Sequence, residues 1–241
     1  MKRTIILAAL LLCGAAAAQT PSFKAPFLEW NEKFEYAVGG GKTLEVNGRC
    51  SFLATVVNGH ICRSYLISVS MNSNRKKDSG YPLHYYGEID RETGVANTAT
   101  HTADGFNYTY SWNGPSTVVE KDMTRYDAFS NRPVPSEVVA ANGGEVFDIP
   151  SLFLRLRAEG GMRTLGGGEL VDNGIHYRIK TVREEAVRCP SRRGSVPGHR
   201  YHVELSPRGS LSVDIADDTY RTPKAFTVRI PGVNMHGRLK E

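Results

Sequence analysis

The sequence predicts a mainly β protein: a curved antiparallel sheet, or a partly open barrel, packed around one amphipathic helix. Three observations predict this class. Apolar and polar residues alternate through most of the chain, which is the period of a strand with one buried face. Turn residues recur about every ten residues, as in sandwiches and barrels. One segment, DIPSLFLRLRAEGG at 148–161, instead has apolar residues at helical spacing.

The N-terminus has the pattern of a signal peptide. Two basic residues precede an apolar run from Thr4 to Leu12, and a small-residue cleavage site ends at Ala18. The run is shorter than the roughly 20 residues that cross a bilayer, and no later segment is apolar enough to span one. We therefore expect 1–18 to be a signal peptide, 19–241 to form a single β-rich domain, and the product to be periplasmic or secreted.

The charge balance argues against a nucleic-acid partner. The formal net charge of +5 falls to +3 when Lys2 and Arg3 leave with the signal peptide, which is only mildly basic. Two local clusters, at 75–77 and at Arg188, Arg192, Arg193 and Arg200, are interpreted as solvated loops. The alternative for both clusters is contact with an anionic partner such as a phosphorylated lipid surface.

A long hairpin is predicted around Asn58-Gly59, a dipeptide that favours a tight two-residue turn. This turn would pair Thr55 with Cys62 and Cys50 with Ile67. One face would be apolar and would hold Cys50, Phe52, Ala54, Val56, Ile61, Tyr65, Ile67 and Val69.

The same register bears on disulfide pairing. It places Cys50 and Cys62 on opposite faces and far apart along the ladder, whereas a disulfide needs Cβ atoms within about 4.5 Å. Cys189 could bridge either cysteine, or all three could stay reduced. We expect no bridge.

Further strands follow from the same alternation. EKFEYAV (32–38) predicts a strand that ends at three glycines, and TLEVNG (43–48) begins the next. Several short strands are expected between 82 and 114, with breaks near Gly94, Gly105 and Gly114. GIHYRIKTVREEAV and GHRYHVELS predict two more. The segment 130–146 is interpreted as an insertion between two halves of one sheet, with a domain border as the alternative.

The single helix is predicted with its ends. Asp148 is the candidate cap, Pro150 lies in the first turn, and Gly160-Gly161 is the stop signal. Leu152, Phe153 and Leu156 would face the sheet, so that the helix plugs or covers it. Arg155 and Arg157 are expected to point outward, although Arg155 could face a pocket.

The stretch LSVDIADDTYRTPKAFTVRI (211–230) predicts two strands around an acidic turn rather than a reactive site. Asp217, Asp218 and Thr219 can hydrogen-bond their own backbone, and Pro223 must begin a strand or lie at an edge. Asp214 and Arg229 are candidates for a cross-strand ion pair. The apolar positions of the two strands are Leu211, Val213, Ile215, Phe226, Val228 and Ile230.

The sequence selects no catalytic residue, metal ligand or cofactor. It has no nucleophile elbow, zinc-protease helix or phosphate-binding glycine loop. His199 and His202, with Cys189 upstream, suggest zinc, but three positions along a strand means opposite faces. Tyrosines cluster in the middle strands, where they either pack across strands or line an amphipathic cavity wall; they are Tyr81, Tyr85, Tyr86, Tyr108 and Tyr110.

Several motifs together resemble the exported bacterial family filed as domain of unknown function 3108. The closing motif of that family resembles DIADDTYRTPKAFTVRIPGVNMHGRL, and its opening strand resembles WNEKFEYAVGGG. Its central element resembles GEIDRETG, and its helix resembles FDIPSLFLRLRAEG. Asn31 stands where that opening strand usually has glycine. The resemblance implies an exported β-rich domain without an assigned activity, and a fold similar to periplasmic carriers of lipoproteins.

These observations predict an exported envelope protein that is non-catalytic and either binds or has a structural role. Its curved sheet could hold a lipid or lipoprotein-like amphiphile, or dock an envelope protein partner. The alternative is a hydrolase of envelope polymers, for which His176, His199 and His202 would be the residues to find together.

Overall fold

The computed structural model describes residues 25–57, 60–73, 84–103, 106–113, 116–123, 137–140, 145–158 and 165–241. The predicted signal peptide, the basic run at 75–77 and Tyr81 lie outside these residues. Within them, no helix has the length and apolar character needed to cross a bilayer.

Fifteen strands of the described residues form one sheet. The strands of the first half are β1 (Glu32–Val38), β2 (Lys42–Val57), β3 (His60–Ser73), β4 (His84–Asp90), β5 (Ala96–Ala103), β6 (Phe106–Asn113), β7 (Ser116–Met123) and β8 (Glu137–Ala140). Those of the second half are β9 (Val146–Phe147), β10 (Glu169–Asp172), β11 (Ile175–Ser191), β12 (Gly194–Ser206), β13 (Ser210–Ala216), β14 (Pro223–Ile230) and β15 (Val233–Leu239). Short 3-10 turns occupy Pro26–Glu29 and Gly39–Gly41, and the helix α1 spans Ile149–Arg157.

Each half of the sheet keeps the order of its strands in the chain, and the two halves meet where β1 pairs with β15. The sheet runs from β8 back to β1, continues through β15 and then runs back to β9. Neighbouring strands are antiparallel except β9 and β10, which are parallel. The first and last strands, β1 and β15, are therefore paired in the middle of the sheet. Its two edges are β8 and β9, and β8 lies within the segment 130–146 that the sequence interprets as an insertion.

Contacts between distant strands show that the sheet curls. The indole Nε1 of Trp112 on β6 donates a 2.8 Å hydrogen bond to the carbonyl of Val146 on β9. The backbone N–H of Asn173, after β10, donates to the Tyr110 hydroxyl of β6 over 3.1 Å. Because these strands lie near opposite ends of the strand order, the contacts bring the ends together. The mainly β, barrel-like fold predicted from the sequence is confirmed.

The β2–β3 hairpin has the predicted turn but not the predicted register throughout. Thr55 pairs with Cys62 as expected, whereas Cys50 pairs with Tyr65 and not with Ile67. The register shifts between Cys50 and Ala54, where β2 contains two residues more than β3. Such a bulge bends and twists the strand pair, which helps the sheet to close. A shift of two preserves the alternation, so Tyr65, Ile67 and Val69 share the inner, buried face.

The cysteines of the described residues are not bridged. Cys50 and Cys189 are both free thiols, and Cys189 is buried. Burial raises the pKa of the Cys189 thiol. The side chains of 52–63, including Cys62, lie outside the described residues.

The acidic stretch is a turn between β13 and β14, as predicted. The Asp218 carboxylate accepts hydrogen bonds from the backbone of Tyr220 and Thr222, at 3.1 and 2.9 Å. The strand β14 begins at Pro223. The predicted inner positions of both strands are buried: Leu211, Val213, Ile215, Phe226, Val228 and Ile230.

The predicted pair between Asp214 and Arg229 is wrong. The ladder places Arg229 opposite Ser210, and Asp214 opposite Arg200 of β12. Arg200 donates two hydrogen bonds to the Asp214 carboxylate, at 2.6 and 2.9 Å. Arg200 is therefore part of a strand and not of a solvated loop.

The helix begins where the sequence predicts and ends earlier. The Asp148 side chain caps it by accepting from the Ser151 N–H at 2.8 Å, and the Ser151 hydroxyl accepts from the Asp148 N–H at 3.0 Å. The helix ends at Arg157, and Ala158 is already extended; the predicted stop at Gly160-Gly161 lies outside the described residues. Leu152 is buried, as predicted.

The two helix arginines contradict the prediction that they point outward. Arg155 and Arg157 are only 4% and 3% exposed. The helix lies inside the curved sheet, so the side that would be polar on a surface helix also meets protein. Arg155 contacts Glu145 at 2.6 Å and the Thr93 carbonyl at 3.2 Å. These partners compensate the charge that burial removes from water.

Candidate functional site: an apolar cavity inside the sheet

A cavity of about 870 Å³ lies inside the sheet. Its wall includes inward-facing side chains from β1, β2 and β3 on one side of the β1–β15 pairing and from β13, β14 and β15 on the other; β4, β5, β6, β10 and α1 also contribute. The apolar lining includes Phe34, Val38, Leu44, Val46, Ile67, Val69, Met71, Val213, Phe226, Val228, Val233 and Met235. The volume is within the range of about 300–1,000 Å³ that is usual for small-molecule sites.

Several inward-facing apolar side chains are not fully buried. Phe34, Val46 and Met71 point to the inner face by strand alternation, yet each is only half-buried, as are Val233 and Met235. An inward residue in a filled core would lose nearly all its exposure. The inner wall thus offers apolar surface that the protein itself does not cover, which is the property of a hydrophobic binding site.

The helix forms one wall of this cavity. Ile149, Phe153 and Leu154 line it, whereas Leu152 and Leu156 are fully buried and do not. One side of α1 therefore packs into a filled core, and the other side borders open space. The cavity lies beside the predicted helical plug.

A buried ion pair closes one part of the cavity. The Arg157 guanidinium donates to both Glu32 oxygens, at 2.6 and 2.9 Å. It also donates to the carbonyls of Arg221 and Tyr220, each over 3.1 Å, and lies 3.9 Å from the centre of the Phe27 ring. The two-point geometry is the strong form of an arginine–carboxylate contact. The pair adds polarity to the lining without net charge.

A second polar group is Asp148, the helix cap. Its carboxylate accepts a 2.6 Å hydrogen bond from the Tyr85 hydroxyl in addition to the Ser151 N–H. Burial raises the pKa of Asp148, while the hydrogen bonds from Ser151 and Tyr85 oppose that rise. Both oxygens are occupied, so this carboxylate has a structural role at the helix start.

Aromatic side chains of the inner face lie over glycines. The Tyr65 ring covers Gly48, and a Cβ atom at Gly48 would lie 2.5 Å from the Tyr65 Cζ. The Tyr85 ring covers Gly87 in the same way. Glycine in a strand often marks such a close approach. These pairs were not recognised from the sequence, although inward positions occupied by glycine were the available signal.

The tyrosine prediction is resolved residue by residue. Tyr85 and Tyr110 line the cavity, which fits the interpretation as a cavity wall. Tyr108 is buried outside the lining, as in cross-strand packing, and Tyr86 is 48% exposed. Two further lining tyrosines, Tyr36 and Tyr65, were not singled out in the sequence; Tyr36 donates to the Pro223 carbonyl at 3.0 Å.

The histidines proposed for the hydrolase alternative do not converge. His199 lies on β12 with Nδ1 at 2.8 Å from Glu184. His202 is three residues further along β12, on its opposite face. His176 lies near the start of β11, roughly six positions or about 20 Å along the sheet from His202. In the part of the chain that the structure describes, no group of three or more potential ligands could hold a metal ion.

Comparison with known proteins gives one structural likeness. No family model matches the chain, and no curated protein sequence matches it significantly. The family that the motifs resemble therefore stays a prediction. The chain is similar to a beta-barrel-like protein of domain of unknown function DUF1849 from Brucella abortus, known from a crystal structure. The TM-score is 0.47 at 8% identity, over 88% of this chain and 96% of that one.

Proposed function

We propose that this protein is an exported envelope protein that binds the apolar part of an amphiphile inside its curved sheet. The cavity beside α1, with half-buried apolar residues on its wall, is the observation that carries the proposal. An apolar wall with a few fixed polar groups suits a ligand that has both an apolar and a polar part.

The exported location is supported by the basic, apolar and small-residue regions of the first eighteen residues. Membership of the family of domain of unknown function 3108 is proposed on the order of the motifs quoted above. Both proposals fit a lipid or lipoprotein-like ligand, since such molecules are abundant in the envelope.

Binding in the cavity is favoured over docking of a protein partner on the outside. Among the side chains that the structure describes, the exposed large apolar residues are Trp30, Tyr86, Ile175 and Tyr220. Trp30 and Tyr220 contact each other, with ring centres 6.4 Å apart. Such a small pair offers much less apolar surface than the cavity wall.

The proposal is tested by extracting the protein, purified from its native compartment without detergent, and analysing the extract for lipids by mass spectrometry. Val46→Trp would place a large ring in the cavity and should remove the copurified lipid. Ala37→Trp on the exposed face of β1 is the matched control and should retain it. Lipid-free extracts from the wild type would contradict the proposal, as would equal lipid in both variants.

A further inference from the structure

The cavity is elongated along the strands that line it. On each of β1, β2 and β3 its wall takes every second residue of one stretch: 32–38, 42–48 and 65–71. In the first hairpin the lining begins at the pair Val38 and Lys42 and ends at the pair Glu32 and Gly48. Because a strand rises about 3.3 Å per residue, each stretch gives the cavity a length of about 20 Å.

The end of the cavity at Glu32 and Gly48 is closed by side chains. The Tyr65 ring covers Gly48, and Tyr65 and Arg157 are only 0% and 3% exposed. Beyond the lining, the fully buried Phe27 ring lies 3.9 Å from the Arg157 guanidinium. We call this end the floor.

The polar groups of the floor are already bonded to one another. The Arg157 guanidinium donates two hydrogen bonds to Glu32 and two to backbone carbonyls. The Tyr65 hydroxyl interacts with the same Glu32 carboxylate. A headgroup at the floor would therefore lose its hydration and compete with bonds that the protein already makes.

The opposite end of the cavity opens between two turns. Gly39 of the β1–β2 turn and Gly232 of the β14–β15 turn both line the cavity, and both are exposed. These turns lie at the same end of the sheet because β1 and β15 are paired and antiparallel. Val233 and Met235, at the start of β15, are half-buried lining residues. We call this end the mouth, and a polar group placed there stays in contact with water.

The dimensions of the cavity fit an extended hydrocarbon chain. A volume of about 870 Å³ over a length of about 20 Å leaves a mean cross-section of about 40 Å², which is narrow for its length. The hydrocarbon core of a bilayer is about 30 Å thick and holds two layers of chains, so one lipid chain is about 15 Å long. An extended chain advances about 1.3 Å per carbon, given C–C bonds of about 1.5 Å, so the cavity length corresponds to about 16 carbons.

We propose that the cavity takes an extended hydrocarbon chain tail first, with the chain end at the floor and the headgroup at the mouth. The distance between floor and mouth then limits the buried chain to about 16 carbons. This inference rests on the proposed function, because it specifies the shape and the orientation of the ligand in the same cavity. It does not depend on the charge of the headgroup, since that group stays at the exposed end.

The first test measures affinity against chain length with lysophosphatidylcholines whose single acyl chain ranges from octanoyl to eicosanoyl. Equilibrium dialysis gives each affinity, with every lipid below its aggregation concentration. Each added methylene should tighten binding about fourfold up to about the hexadecanoyl chain, and longer chains should gain less than about twofold in total. Affinity that rises steadily to eicosanoyl, or that does not depend on length, would overturn the inference while leaving cavity binding intact. Failure of the whole series to bind would overturn the proposed function itself.

Val46→Trp should shorten the limit, because Val46 lines the cavity about 13 Å along β2 from Lys42 at the mouth. The new ring blocks the deeper part, so the longest chain that fits should be about decanoyl. The decanoyl lipid should bind within about threefold of its wild-type affinity, whereas the hexadecanoyl lipid should lose at least about a hundredfold. Ala37→Trp, on the exposed face of β1, should keep the wild-type series. Equal weakening of both lipids by Val46→Trp, with the fold retained in circular dichroism, would contradict a chain that enters from the mouth.

The orientation is tested in the wild type by placing a bulky group at either end of the ligand. Palmitate has a small headgroup, hexadecanoyl lysophosphatidylcholine has a large one, and a decanoyl lysophosphatidylcholine with a terminal pyrene has a large group at the chain end. The first two should bind within about tenfold of each other, and the pyrene lipid at least about tenfold more weakly than the hexadecanoyl lipid. A pyrene lipid that binds as tightly as the hexadecanoyl lipid, or palmitate that binds far more tightly than it, would overturn the tail-first orientation.

Discussion

The buried pair of Glu32 and Arg157 leads to a quantitative prediction for Glu32→Gln. The side chains are 15% and 4% exposed, so the guanidinium has little access to water. Glutamine keeps the size of glutamate and one acceptor oxygen but removes the charge, so Arg157 retains hydrogen-bond acceptors, two of them backbone carbonyls, but loses its counter-charge. A buried charge without its counter-charge is strongly destabilising.

The magnitude follows from the burial of the two partners. Removing one member of a fully buried pair costs about 3–5 kcal/mol. Because Arg157 keeps its carbonyl partners, we expect the lower end, about 3 kcal/mol. For a chain of this size, each 1 kcal/mol lowers the melting temperature by about 2–4 °C, so the expected decrease is about 6–12 °C.

Urea unfolding followed by tryptophan fluorescence measures this change, because Trp112 is buried and its environment changes on unfolding. Glu204→Gln is the control: its contact with Arg183 is also short, at 2.8 Å, but the side chains are 37% and 69% exposed. Such an exposed pair contributes less than about 1 kcal/mol. If the two variants lose the same stability, then burial does not set the strength of the Glu32–Arg157 pair and our reasoning is wrong.

Three further predictions concern single inner-face residues. Gly48→Ala should lower the free energy of unfolding in urea by about 2–3 kcal/mol, because its Cβ would overlap the Tyr65 ring. Adding Tyr65→Leu to the same chain should restore part of this loss. If the losses of the two single variants simply add in the double variant, the overlap is contradicted. Tyr85→Phe should cost about 2 kcal/mol because the buried Asp148 carboxylate loses a donor. Unchanged stability of this variant in thermal denaturation would refute this role of the Tyr85 hydroxyl. Asp148→Asn keeps the helix cap. Burial raises the pKa of Asp148 above its ordinary 3.8, so the folded state binds this proton more tightly than the unfolded state and loses stability as the pH rises past that value. The variant should therefore gain stability relative to the wild type as the pH rises above 3.8, and a constant difference would contradict the raised pKa.

Most individual elements could be predicted because their signals are local. The alternation in EKFEYAV predicts β1 with its observed ends, and Asp148 and Pro150 predict the start of α1. The acidic turn before Pro223 was predicted from side chains that bond to their own backbone. Each depends on residues within a few positions of one another.

The candidate site could be predicted only in outline. Tyr85 and Tyr110 were named as members of an amphipathic wall, but Tyr36, Tyr65 and the glycine beneath the Tyr65 ring were not. Their roles depend on partners in other strands. The predicted pairing of the β2–β3 hairpin is correct near the turn but differs by two residues from Cys50 towards the start of β2. The reason is similar, since a bulge reflects how the whole sheet curves.

The sequence by itself determined which side chains face inward and where one helix begins, because the backbone period and the helix cap are properties of neighbouring residues. Tertiary structure decided what those inward side chains meet. Arg157, charged and near a helix end, has the sequence context of a surface residue, and only the closure of the sheet brings Glu32 to it from 125 residues away. The cavity arises in the same way: it is the space that the curved sheet and the helix leave between them, and no local pattern of residues specifies a volume.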